Sequence, residues 1–151
     1  MHNFLQKLFL FLELYSKAVL RLGMAIVILW FSIQQFLFAS VWTAYIPDSV
    51  VAITHLNSIT LVYLNAFFEL IFGLSLFFGW QTRLAAFLLS AHLFNISFVV
   101  GYGEIGMRDF GLAVATFVVF MNGPDIFCIE QKKKSEEISD LPSQQPQRRL
   151  I

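Results

Sequence analysis

The chain has 151 residues, 58% of them hydrophobic and 18 of them phenylalanine, with a mean hydropathy of +0.71 and a formal net charge of zero. Charged residues make up 13%, about half the usual share, and five of the ten basic residues fall in the last twenty positions. This composition excludes an ordinary soluble domain and a nucleic-acid-binding surface, and the single cysteine, Cys128, excludes an intrachain disulfide or a CxxC redox pair.

Residues 1–18 form an amphipathic N-terminal segment. Gln6, Glu13 and Lys17 share one arc and mostly Phe and Leu fill the rest, which suits either a helix lying in the membrane interface or a cytoplasmic extension of the first span. That span is expected over 19–39. It is too long for a signal-peptide core and no A-x-A site follows, so it reads as an uncleaved anchor. Trp42 and Tyr45 are outer-interface anchors and Pro47-Asp48 is the stop. Residues 48–60 suit a short interfacial helix. Three more spans are expected over 59–80, 84–100 and 108–123, and residues 126–151 read as a disordered, charged cytoplasmic tail.

Lys7, Lys17, Arg21, Arg83 and the five C-terminal cations lie on one side of these spans; Arg108 alone lies on the other. The positive-inside rule then makes both termini cytoplasmic. The expected fold is all-α and integral to the membrane, with four transmembrane helices in an antiparallel bundle.

The polar residues divide by depth. Glu69 and His92 fall at mid-span, Asn65 and Asn95 one turn further out, and Gln35, Arg108 and Asp109 share that outer half. An ionisable group inside a bilayer costs a few kcal/mol, so Glu69 must face protein or a wet cavity. One reading is a ligand site open to the outside, in which Arg108 and His92 hold or protonate the ligand and Glu69 accepts a proton or charge. The other is that Gln35, Asn65, Asn95 and their neighbours only hydrogen-bond the helices together. His55 and His92 lie at different depths and give no matched pair for a haem, and no cluster has metal-ligand spacing. Arg21 reads most simply as a snorkelling interface residue, while its place on the Ala25, Ile28, Ser32, Gln35 face keeps a core role open. Cys128, near the inner surface, is read as inert.

Several of these features occur together in one family. Arg21-Leu22-Gly23 opens the first span; Glu69 is followed by Gly73, Gly79 and the turn to Arg83-Leu84-Ala85-Ala86; Arg108-Asp109 opens the fourth span and Gly123-Pro124 closes it. In this the chain resembles, over about residues 17–125, the DoxX-like family of small four-helix prokaryotic membrane proteins. The resemblance implies a prokaryotic cytoplasmic (inner) membrane and a link to redox metabolism, as a subunit of an oxidoreductase complex with a quinone as the implied cofactor. A soluble redox enzyme or a second membrane subunit is the implied partner, beside the lipid bilayer. The chain departs from the family where a glycine and, three residues on, a lysine are common: here stand Ser32 and Gln35. The lost cation weighs against an oxyanion substrate such as thiosulfate. Three functions compete at this level: a redox-associated subunit binding a quinone or small polar ligand, a non-catalytic scaffold that recruits a soluble partner, and a small transporter subunit, this last disfavoured by four spans without an internal repeat. No catalytic residue is assigned.

Overall fold

A computed structural model describes residues 2–101 and 103–139. Every regular element in it is a helix: α1 (His2–Leu37), α2 (Ala39–Trp42), a 3-10 turn (Thr43–Tyr45), α3 (Asp48–Thr54), α4 (Ser58–Phe78), α5 (Thr82–Val100), α6 (Glu104–Asn122) and α7 (Ile129–Ser139). Three of them, α1 from Phe4, α4 and α5, are long and apolar enough to cross a membrane. α6 has the length of α5 but carries Glu104, Arg108 and Asp109 in its first two turns. Contacts run from α1 to α4, α4 to α5, α5 to α6 and from α6 back to α1.

The boundaries follow from local chemistry. The Asn57 side chain caps α4 by accepting from the Thr60 N–H at 2.8 Å. α4 ends at Gly79, whose φ of +70° a side chain would resist, with Gly79 N–H donating to Leu76 and Trp80 N–H to Ser75. A Cβ at Gly79 would also stand 2.6 Å from Cys128, so the glycine is needed twice over. Between the helices, Ala25, Ala66, Ala85, Ala86 and Ala113 are almost fully buried, and Gly73 lets Leu29 approach. Small residues of this kind bring helix backbones close enough for side chains to bond across them. Ser32 donates to the Ala66 carbonyl at 2.8 Å and Ser90 to that of Ala113 at 3.0 Å.

Arg21 corrects the snorkelling expectation. Its side chain is 1% exposed and closes the end of the bundle at the C-terminus of α4. Nε donates to Asp125 Oδ2 at 2.6 Å, Nη2 to Oδ1 at 3.3 Å, and Nη1 to the Leu76 and Phe77 carbonyls, each at 2.7 Å. The cation thus bonds two carbonyls in the last turn of α4 and ties them, through Asp125, to the segment after α6. Burial alone would raise the Asp125 carboxyl, but the hydrogen bonds from Arg21 and the Phe127 N–H outweigh it and hold Asp125 below the usual carboxylate range.

Of the two readings for residues 1–18, the helix continuous with the first span is the one seen, since α1 is a single helix of 36 residues, about 54 Å long at 1.5 Å per residue. The tail read as disordered carries α7 over Ile129–Ser139; residues 140–151 lie outside the described residues. α7 is fastened at its first turn. Glu130 N–H donates to Gly79 and the Glu130 carboxylate accepts from Thr82 N–H, capping α5, while Cys128 is wholly buried against Gly79 and Thr82.

Removing one half of a buried ion pair strands the other. Asp125→Ala should therefore destabilise the protein by about 3–5 kcal/mol, read as thermal or denaturant unfolding in detergent. The pair's contribution is complete above the ordinary aspartate pKa of ~3.9 and is lost as pH falls below it, through the lower folded value. A loss below about 1 kcal/mol, the scale of an exposed pair, would contradict this account.

Candidate functional site

α1, α4 and α5 each send polar side chains to one level of the interior. Gln35 lies on the face of α1 that carries Ala25, Ile28 and Ser32 inward, at the three- and four-residue spacing of one helical stripe. Asn65 and Glu69 are one turn apart on α4, and His92 comes from α5. Gln35 Nε2 donates to Glu69 Oε2 at 2.6 Å, Asn65 Nδ2 donates to Gln35 Oε1 at 2.7 Å and to Glu69 Oε1 at 3.1 Å, and His92 Nε2 lies 2.7 Å from Asn65 Oδ1.

With Glu69 as a carboxylate the chain has one direction. The carboxylate only accepts, so Gln35 must turn its NH2 to it and its carbonyl to Asn65. Asn65 then uses its NH2 on Gln35 and Glu69, and its carbonyl faces His92, which therefore carries its proton on Nε2. The His92 Nε2 atom itself lies 4.0 Å from Glu69 Oε1, so Asn65 is the bridge between them. The His92 ring also packs on Phe68, with centroids 4.5 Å apart. No buried side-chain nitrogen or oxygen among the described residues lacks a partner.

These four residues line one side of a cavity of about 240 Å³, and the other expected site residues line it too. Arg108 and Asp109 enter from α6. Arg108 Nε donates to Asp109 Oδ1 at 2.8 Å, with Nη2 at 2.7 Å from the same oxygen, and the guanidinium sits 4.4 Å from the centroid of Phe31. Arg108 is therefore paired with its own neighbour and not with Glu69. Asn95 lines the cavity, and its side chain makes no hydrogen bond to another described residue. The remaining wall is apolar, with Ile96, Val99, Ile105 and Leu112 from α5 and α6.

Sequence reasoning missed the cover. Trp42, Tyr45, Ile46, Pro47 and Val50, from the connection between α1 and α4, line the same cavity. Trp42 and Tyr45 read as membrane-interface anchors, a role their composition suggests equally well; only the fold turns them over the site. Phe31 was also missed, although its place one turn before Gln35 puts it on the same stripe. The His/Cys/Asp/Glu side chains form no metal-holding group among the described residues.

The network and the free polar groups differ in what their loss should cost. Gln35→Met removes a donor to Glu69 and an acceptor for Asn65 and should destabilise by about 1–3 kcal/mol in detergent unfolding. Asn95→Ala removes no hydrogen bond within the protein and should stay within about 0.5 kcal/mol. Equal losses would mean that Gln35 does not carry the network.

The sequence profile of the DoxX family matches residues 16–102, a stretch that contains Gln35, Asn65, Glu69, His92 and Asn95 and ends before Arg108 and Asp109. No curated protein and no solved structure matches the chain. With more than half of its length matched, and with helices suited to a bilayer, this chain belongs to the DoxX family of membrane proteins.

Proposed function

We propose that this protein binds, in the outer half of the membrane, a small ligand with a polar head and an apolar body, of which a quinone is the leading candidate. In this reading α6 is a fourth span, both termini face the cytoplasm, and the membrane is the cytoplasmic membrane of a prokaryote. The observation that carries it is the cavity itself, where seven polar side chains from all four long helices converge within otherwise aliphatic and aromatic walls. Pockets of that make-up are how proteins orient small molecules: apolar walls take the body and a few placed polar groups fix the head.

The chemistry is divided between two sides. Arg108, with its guanidinium only partly engaged by Asp109, holds a carbonyl or anionic oxygen. Glu69 and His92, joined through Asn65, form a hydrogen-bonded chain that takes or delivers a proton. A quinone reduced to a quinol takes up two electrons and two protons. The chain's own residues serve the protons, and a soluble redox enzyme or a second membrane subunit supplies the electrons.

The test is mass spectrometry of the full chain purified gently into lipid nanodiscs. The native protein should retain a small molecule, and Arg108→Ala and Glu69→Gln proteins that still fold should retain at least about tenfold less, the effect of losing one charge-assisted contact. An empty native protein, or undiminished retention in both variants, would overturn the proposal.

A further inference from the structure

α1 is far longer than the helices it packs against. Arg21 stands level with the C-terminal carbonyls of α4, so the residues before about Lys17 run past the end of α4. That extension is about 24 Å long at 1.5 Å per residue, and it lies beyond a bundle whose α4, of 21 residues, already matches the ~30 Å hydrocarbon core.

One stripe of α1 continues through both parts. Leu5, Phe9 and Leu12 lie on the extension, and the same alternation of four and three residues leads through Val19, Ile26 and Trp30 to Ile33 and Leu37. All eight side chains are 44–68% exposed. They point away from the buried face of Ala18, Arg21, Ala25 and Ile28, and on the extension also away from Leu10, Leu14 and Lys17, which line a groove shared with α7. The two small residues of the stripe, Ser16 and Gly23, are seven apart and sit where α1 passes the end of α4. A Cβ at Gly23 would meet nothing within 4 Å in the protomer.

We infer that this stripe is the interface with a second copy of the chain, paired in parallel along α1. A repeat of 3.5 residues is the pattern that keeps one face of a helix against a like helix over its full length. A second copy in the same bilayer has the same direction and height, so each stripe residue meets its own counterpart. Lipid can cover Val19, Ile26 and Trp30; Leu5, Phe9 and Leu12, on the part of α1 that runs past the end of α4, are covered by the second copy. The eight side chains offer on the order of 900 Å² per copy, comparable with the ~800 Å² each partner gives to a stable interface. Ser16 and Gly23 allow the two backbones to approach closely at the crossing, as small residues do in membrane helix pairs.

The experiment is oxidative cross-linking of single-cysteine substitutions in the full chain in native membranes. Cys128, buried against Gly79 and Thr82, serves as the silent background. Leu12→Cys and Ser16→Cys should form a disulfide-linked dimer at least about tenfold faster than Phe11→Cys and Leu14→Cys, since only the first pair lies on the heptad seam. Phe11 is about as exposed as Leu12 and lines no groove with α7, so random collision would treat those two alike. Phe9→Asp, at a surface position of the protomer, should raise the dimer dissociation constant in nanodiscs by about tenfold or more by placing like charges face to face. Equal cross-linking at all four positions, preference for Phe11 and Leu14, or a monomer by mass would each overturn the inference; the last would give the stripe to lipid or to a different protein.

Discussion

A carboxylate within a membrane protein must be supplied with donors, and much of this molecule's architecture can be understood from that requirement at Glu69. An unpaired charge buried inside a membrane protein costs several kcal/mol. Gln35 and Asn65 supply the donors from α1 and α4, and His92 orients Asn65 from α5. For those side chains to meet, three helices must lie close at that level. The alanines and Gly73 along their seams, and the serine-to-carbonyl bonds just below, allow this. Close packing and the polar network are one arrangement seen from two sides.

The opposite end of the bundle applies the same rule with the opposite charge. Arg21 is a buried cation, and it is tolerated because two backbone carbonyls and the Asp125 carboxylate together satisfy its donors. Cys128, Gly79, Thr82 and Glu130 extend this contact into a joint that holds the segment after α6 against the α4–α5 turn. One buried carboxylate organises the cavity end of the bundle and one buried guanidinium the opposite end, with an apolar layer between them that includes Leu76, Leu89 and Met24. The cavity lies at the Glu69 end, where the polar groups outnumber what the network alone consumes.

How far the sequence could be read depended on whether a feature is periodic along one helix or depends on how helices rotate against each other. Helix type and approximate bounds of the long elements follow from runs of apolar residues, and the stripe from Arg21 through Ser32 to Gln35 is visible as spacing alone. That Glu69 and His92 share a level, with Asn65 one turn away and Gln35 in the same half, was legible by counting turns. That Gln35 reaches Glu69 while Arg108 turns to Asp109 was not, because it depends on helix rotation. Arg21 was misread because its place near a span end suits snorkelling, and its partner Asp125 stands 104 positions away in a loop without periodicity. α7 was missed for a related reason: its composition is that of a disordered tail, and its fastening through Cys128 and Glu130 appears only in three dimensions.

The central claim is that the polar cluster around Glu69 faces a cavity open to the external side. Asn95 is the residue to use, because it lines that cavity and its side chain bonds to no other described residue. The measurement is labelling of Asn95→Cys by a membrane-impermeant thiol reagent added outside right-side-out membrane vesicles, with the buried Cys128 of the parent protein as control. Labelling of position 95 from the outside, with the parent protein silent, is the predicted result. Labelling only after the inner face is exposed would place the cavity on the other side of the membrane and contradict the account.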